Sequence, residues 1–274
     1  MPAKGIVCTL QTPSVKKTFD ECRACTNPCM PDSFREWIFS DRPLRDKFSI
    51  TQLQKPTRVL LLELAKEFYF DIISAYSRLR GSLIHQALAS HPEPGTLHEK
   101  AIIINDVIGH YDLYDPKTKA LWDYKNVGAY KIKKILADPD NELTEYKTQL
   151  SFYARGLKEA GLPVEKAFIW LLCSDWNAGV LRRDKIVPWQ KVPIKLLPDE
   201  LIEQFVTIQL ARIEIATILQ WAPHCTSQET WGGKRCTPQW CPTIEYCQEL
   251  DKNDKSKDFE TLVNKIIEGK EGTK

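Results

Sequence analysis

Two aspartates and a lysine lie on two neighbouring segments with strand character in the middle of the chain. Asp112 falls within residues 107–115, Asp123 and Lys125 fall within residues 120–127, and a proline-containing turn separates the segments. Side chains alternate along a strand, so Asp123 and Lys125 share one face. In a hairpin Asp112 comes beside Asp123, and adjacent carboxylates repel unless a cation lies between them. The pattern therefore predicts a site for Mg²⁺ or Mn²⁺; the alternative is a solvated hairpin with surface ion pairs.

Two predicted helices carry further polar residues that could join this site. A helix over residues 80–88 carries His85 on an otherwise apolar surface, where a histidine is more often a structural residue than a ligand. A helix over residues 143–160 places Gln149 and Tyr153 one turn apart, so both side chains project from the same face. Each signal is weak alone, but their order along the chain is informative.

The polar residues occur as four short motifs: Gly81-x-x-x-His85, Gly109-x-x-Asp112, Asp123-x-Lys125 and Gln149-x-x-x-Tyr153. Over residues 49–175 this order resembles the PD-(D/E)XK nuclease superfamily, in particular its RecB-like branch, which includes CRISPR-associated and phage-encoded exonucleases. The resemblance implies a restriction-endonuclease-like fold. It also implies a function, namely a metal-dependent DNA nuclease, an exonuclease in which a metal-activated water hydrolyses phosphodiester bonds.

The resemblance assigns a role to each motif residue. It implies the following ligands for Mg²⁺ or Mn²⁺: His85, Asp112, Asp123 and the carbonyl of Tyr124. Lys125 would help to activate or position the attacking water. Gln149 and Tyr153 would assist the metal site and the DNA.

A cluster of lysines follows the second strand, although the net charge of only +2 does not indicate a nucleic-acid binder. Lys131, Lys133 and Lys134 either grip phosphate or simply face solvent. A second class of function stays open: a DNA- or protein-binding module of a recombination or CRISPR adaptation complex, organised by cysteine-bound metal. The expected partners are DNA and proteins of recombination, replication or CRISPR adaptation, and the oligomeric state is open.

Eight of the nine cysteines fall into two terminal groups. The N-terminal group is Cys8, Cys22, Cys25 and Cys29, and the C-terminal group is Cys225, Cys236, Cys241 and Cys247. The length of the chain and the lack of a secretory signal in its first residues indicate a reducing compartment. Such groups then predict metal ligands rather than disulfides, with unpaired thiols as the alternative.

Some RecB-like nucleases hold a [4Fe–4S] cluster with one cysteine before the nuclease core and three after it, and Cys236, Cys241 and Cys247 resemble that trio. This chain has Lys55 in the segment that resembles the site of the leading cysteine. Either an N-terminal cysteine supplies the missing ligand, or each terminal group binds its own metal. Zinc and iron–sulfur are equally compatible with Cys22, Cys25 and Cys29.

The chain of 274 residues is long enough for one main domain with appended ends. We predict a cysteine-containing N-terminal arm over residues 1–47, a nuclease core with a helical flank over 48–222, and a cysteine-rich segment with a charged tail over 223–274. Helices are predicted at 32–39, 143–160 and 198–221, two more within 59–91, and strands at 101–105, 107–115, 120–127 and 166–173. These elements predict an α/β three-layer sandwich with a central mixed sheet flanked by helices. No apolar run approaches the roughly 18 residues of a membrane span, and we expect a cytoplasmic protein of a bacterial, archaeal or phage-infected cell.

Overall fold

The computed structural model describes residues 3–8, 14–40, 47–252 and 254–271. The chain forms two compact units. The first unit comprises Met1–Asp46, Lys55–Leu79 and Thr207–Lys274, and the second comprises Lys47–Gln54 and Arg80–Val206. The segment predicted as the nuclease core is therefore divided between the units, and both cysteine groups belong to the first.

The secondary structure alternates between helices and strands over the described residues. The strands are β1 (Gly5–Cys8), β2 (Val15–Thr18), β3 (Tyr69–Asp71), β4 (Leu97–Ile104), β5 (Val107–Asp115), β6 (Ala120–Val127), β7 (Lys166–Cys173) and β8 (Trp189–Ile194). The helices are α1 (Phe19–Arg23), α2 (Asp32–Phe39), α3 (Ile50–Leu53), α4 (Thr57–Ala65), α5 (Ile72–Ala89), α6 (Ala129–Ala137), α7 (Pro139–Glu142), α8 (Thr144–Glu159), α9 (Ala178–Asp184), α10 (Asp199–Leu219), α11 (Cys247–Leu250) and α12 (Ser256–Glu271). A 3-10 turn (Ile244–Tyr246) precedes α11.

The first unit contains a small mixed sheet of order β2-β1-β3, in which β1 pairs antiparallel with β2 and parallel with β3. Ile6, Phe39 and Phe70 belong to the apolar cluster at this sheet. A second cluster joins α4, the end of α10 and α12 around Trp221 and Phe259, whose rings meet edge to face. The burial of these aromatic side chains is the main apolar stabilisation of the unit.

The second unit contains a five-stranded mixed sheet of order β4-β5-β6-β7-β8. Only β6 and β7 run parallel; the other neighbours are antiparallel. Leu121, Ile169 and Leu171 are fully buried in its central strands, as expected where both faces of a parallel pair are covered. Helix α8 packs on this sheet so closely that a Cβ at Gly156 would lie 2.0 Å from Ile102 Cγ2.

The periodicity of the sequence predicted most elements of the second unit. The bounds predicted for α2, β5, β6 and β7 are confirmed, and β4 is longer than predicted because it begins at Leu97. The two helices predicted within residues 59–91 are present, but the short strand β3 lies between them. An α/β architecture with mixed sheets is therefore confirmed. In the described ranges, no helix combines the length and the hydropathy that crossing a bilayer requires.

Candidate functional site

Strands β5 and β6 separate at the residues that the sequence singled out. Their ladder pairs Asp115 with Ala120 and ends at Leu113 and Trp122, one residue before Asp112 and Asp123 would face each other. Beyond that point the Asp112 side chain, not the backbone of β5, bonds to β6. Its Oδ2 accepts a hydrogen bond of 2.6 Å from the backbone N–H of Tyr124. The opening of the hairpin therefore leaves room for carboxylates between the strands.

Asp123 and Lys125 share a face of β6, as predicted. Lys125 Nζ lies 2.6 Å from Asp123 Oδ2, and only 2% of the Asp123 side chain is exposed. The contact lacks hydrogen-bond angles, so neither Asp123 oxygen accepts a hydrogen bond from the residues that the structure describes. Burial raises the pKa of the Asp123 carboxyl against the opposing charge of Lys125. Burial lowers the pKa of Lys125, but the charges of Asp123 and Asp112 outweigh it and leave that pKa raised.

His85 reaches the carboxylates from α5 and is not an isolated structural histidine. Its Nδ1 lies 3.2 Å from Asp112 Oδ1 and 3.7 Å from Glu99 Oε1. Hydrogen bonds to Asp112 and Glu99 raise the pKa of His85 to about 10, so the ring is cationic at neutral pH without a metal. One potential ligand atom from each of these three residues lies within 4.8 Å of the others.

Glu99 is a site residue that sequence reasoning missed. It lies opposite Asp112 between the regular pairs His98 with Leu113 and Lys100 with Tyr111. Its φ of 47° is left-handed, a conformation that is costly for a non-glycine residue inside a strand. The sequence signal that could have identified Glu99 is the register of the β4–β5 hairpin, because that register places its carboxylate opposite Asp112.

Gln149 and Tyr153 lie on the buried face of α8, and Gln149 Nε2 donates a hydrogen bond of 2.7 Å to the Tyr153 hydroxyl. Burial raises the pKa of Tyr153, so it stays a neutral phenol. The Tyr153 ring also explains the glycine of the second motif. A Cβ at Gly109 would lie 2.4 Å from Tyr153 Cε1, so only glycine lets the ring lie against β5.

The lysines predicted to grip DNA lie on α6, and each has an acidic neighbour. Lys131 and Lys134 lie 2.6 Å and 3.7 Å from Glu142, and Lys133 lies 3.2 Å from Asp184. We refer to these three residues as the α6 lysines. To bind DNA, the α6 lysines would have to exchange the carboxylates of Glu142 and Asp184 for phosphate. Phosphate binding by these lysines stays a prediction.

The residues of the hairpin fit a hard divalent cation. Asp112, Asp123 and Glu99 outnumber the cations His85 and Lys125, and the buried Asp123 oxygens have no hydrogen-bond donor among the described residues. Carboxylate oxygens with one imidazole are donors that Mn²⁺ and Mg²⁺ accept. The structure therefore adds Glu99 to the candidate ligands, whereas the predicted ligand Asp123 lies outside the group of atoms within 4.8 Å of one another.

The C-terminal cysteines gather around α11 in the first unit. Burial raises the pKa of the Cys225 thiol to about 12, and Glu229, Cys247 and Cys241 add to the effect. Burial also raises the pKa of the Cys241 thiol, and the neighbouring Cys247 and Cys236 add to the effect. Lys55, in the segment that resembles the site of the leading cysteine, pairs instead with Glu63 at 2.5 Å. The four thiols are not gathered as a preformed metal site, since no three of their sulfur atoms lie within 4.8 Å of one another. We refer to Cys225, Cys236, Cys241 and Cys247 as the C-terminal quartet.

Arg58 connects this quartet to the rest of the first unit. Its guanidinium is fully buried, donates to the carbonyl of Ala222 at 2.9 Å and lies 2.7 Å from Asp251 Oδ1. It also contacts Cys247 Sγ at 3.5 Å. The N-terminal cysteines Cys22, Cys25 and Cys29 line a different cavity.

Similarity to known proteins is found at the level of structure. No protein-family model matches the chain, and no curated protein matches it. One solved structure, "Crystal structure of SSO0001", aligns with 80% of this chain and 94% of that chain, with 16% sequence identity and a TM-score of 0.47. The case for a function therefore depends on the residues of the site.

Proposed function

We propose that the protein is a divalent-metal-dependent deoxyribonuclease that hydrolyses phosphodiester bonds, with the exonuclease action implied by its sequence resemblance. One observation carries the proposal. Asp112, Asp123, Lys125 and His85, which are far apart in sequence, converge where β5 and β6 separate, and the buried carboxylate of Asp123 has no hydrogen-bond donor among the described residues. A buried carboxylate without an aligned hydrogen-bond donor is costly even where a lysine offsets its charge, and a bound cation would account for it.

The chain's own residues divide the chemistry of hydrolysis between them. When bound, the divalent metal activates a water molecule and offsets charge on the phosphoryl oxygens. His85, Glu99, Asp112 and Asp123 would hold it, with the carbonyl of Tyr124. Lys125 keeps its proton because its pKa is raised, so it contributes a positive charge that orients water or phosphate rather than acting as a general base.

The architecture of the second unit supports the same proposal. Its mixed five-stranded sheet, with α8 packed on it, is compatible with the core of a restriction-endonuclease-like three-layer sandwich. Gln149 and Tyr153 project from α8 as a hydrogen-bonded pair, in a position to assist the site.

The test is incubation of the purified protein with end-labelled single- and double-stranded DNA and Mg²⁺ or Mn²⁺. We expect cleavage that is abolished by Asp112→Ala, Asp123→Ala or Lys125→Ala. Because these groups act together, each single change should cost nearly as much as all three. Asp106→Asn and Lys119→Met are matched controls, since both residues form exposed ion pairs on the same two hairpins.

The result also separates the nuclease from the binding module. DNA that is bound but not cut with either metal would favour the module. Cleavage at the wild-type rate by all three alanine variants would refute the site. Release of single nucleotides from one end identifies exonuclease action, whereas internal fragments identify an endonuclease.

A further inference from the structure

The N-terminal cysteines converge although they come from three different elements. Cys8 ends β1, Cys22 lies on α1, and Cys25 and Cys29 lie in the loop that leads to α2. Together they line one cavity of about 180 Å³ in the first unit. The fold thus brings Cys8 to the other three members of the N-terminal group.

The four thiols influence one another electrostatically. Burial raises the pKa of the Cys29 thiol, and Cys8 and Cys25 add to the effect. Burial likewise raises the pKa of the Cys22 thiol, and Cys29 and Cys25 add to it. These effects agree with the shared cavity that the four side chains line.

Two cations lie at the N-terminal quartet. Lys17 Nζ is 3.7 Å from Cys25 Sγ. Arg35, which lines the same cavity and is 8% exposed, donates from a terminal nitrogen to the carbonyl of Cys22 at 3.2 Å. Its buried Nε has no hydrogen-bond partner among the described residues. Positive charges in these positions offset the net negative charge of a metal held by four thiolates.

We propose that Cys8, Cys22, Cys25 and Cys29 form a structural site for one Zn²⁺ ion. Four thiolates in tetrahedral coordination are a closed zinc site. No three of these sulfur atoms lie within 4.8 Å of one another, so binding of one ion requires the side chains to move closer together.

The role of the ion follows from the size of the surrounding core. The apolar cluster at the β2-β1-β3 sheet contains six buried residues, one of which is Cys22 itself. Such a small core stabilises a segment weakly, and metal coordination adds the free energy that fixes it. The site is independent of the carboxylate site in the second unit.

The test is the metal content of the full-length protein, expressed with zinc and iron in the medium and purified without a metal-binding tag. We expect about one zinc per chain at this quartet, lost in Cys25→Ser and retained in Cys25→His, because an imidazole replaces a thiolate as a zinc ligand. Cys241→Ser, in the other quartet, and Cys173→Ser, outside both, should keep this zinc. The histidine variant separates the loss of a ligand from misfolding.

Three results would overturn the assignment. The first is wild-type protein without zinc, and the second is Cys25→Ser with the zinc content of the wild type. The third is a disulfide between Cys8 and Cys29 in protein alkylated at lysis, since a disulfide removes two thiolates. Iron and sulfide that are lost only in Cys25→Ser would likewise replace zinc with a cluster.

Discussion

Lys125→Met tests whether the buried ion pair on β6 belongs to a metal site. Lys125 and Asp123 lie 2.6 Å apart, and the side chains are 21% and 2% exposed. Removing one partner of a buried pair costs about 3–5 kcal/mol, because the remaining charge is left uncompensated. Lys119→Met is the matched control, because Lys119 lies 2.6 Å from Glu165 but both side chains are about half exposed, and exposed pairs contribute about 0–1 kcal/mol.

The cost of Lys125→Met should depend on pH. Burial raises the pKa of Asp123 in the folded protein, and Lys125 opposes this rise, so the variant raises that pKa further. Because the pKa of Asp123 is higher in the folded state than in the unfolded state, the protonated carboxyl stabilises the folded state. This contribution is fully present below the unfolded-state pKa of about 3.9 and is lost as the pH rises through the folded-state pKa. The variant should therefore be destabilised more at pH 8 than at pH 5.

Hydrogen exchange of peptides within residues 107–127 is the appropriate assay, because it reports the second unit alone. A loss of 3–5 kcal/mol increases the exchange-competent population about a hundredfold to several thousandfold. Saturating Mn²⁺ should reverse much of this loss, since a cation then compensates Asp123. Equal effects of Lys125→Met and Lys119→Met, or no greater protection by Mn²⁺ in Lys125→Met than in wild type, would refute the reasoning.

Four further predictions concern the site and the cysteines. Gly109→Ala should force the Tyr153 ring away, destabilise the protein by about 1–3 kcal/mol and slow cleavage; Gly81→Ala, where a Cβ meets nothing within 4 Å, should do neither. Glu99→Gln should weaken Mn²⁺ binding by about tenfold or more in a calorimetric titration, and an unchanged affinity would remove Glu99 from the ligands. Replacing the α6 lysines with glutamine should reduce the salt slope of DNA binding by about 0.9 for each phosphate that the variant no longer neutralises; an unchanged slope means that they pair only with Glu142 and Asp184. Cys241→Ser should release metal from the C-terminal quartet, seen by elemental analysis and absorption, while DNA cleavage persists.

Patterns within single elements correctly predicted which side chains lie beside each other, because such patterns depend only on local geometry. The alternation of side chains along a strand predicted that Asp123 lies beside Lys125, and the periodicity of a helix predicted that Gln149 lies beside Tyr153. The order of the motifs identified His85, which the composition of its helix alone did not. These relations need no knowledge of how distant segments pack.

What the sequence could not predict depends on pairing between distant segments. Glu99 became visible only through the register of β4 on β5. The sequence grouped Cys8 with the other N-terminal cysteines but did not predict the sheet that carries it, whose strands β1, β2 and β3 have only three or four residues each. Strands of that length carry too little periodicity to distinguish them from loops.

The backbone of Glu99 gives an independent argument that the carboxylates form a working site. Other non-glycine residues with positive φ occupy turns, as Asn105 and Asp106 do between β4 and β5, where such angles are ordinary. Glu99, alone in the part of the chain that the structure describes, has this conformation inside a strand. It costs on the order of 1–3 kcal/mol and brings a second carboxylate near Asp112, with both carboxylates within 3.7 Å of the cationic His85 ring. Two carboxylates and an imidazole held together at the expense of backbone strain are donors that a divalent cation would accept, which agrees with the proposed metal site.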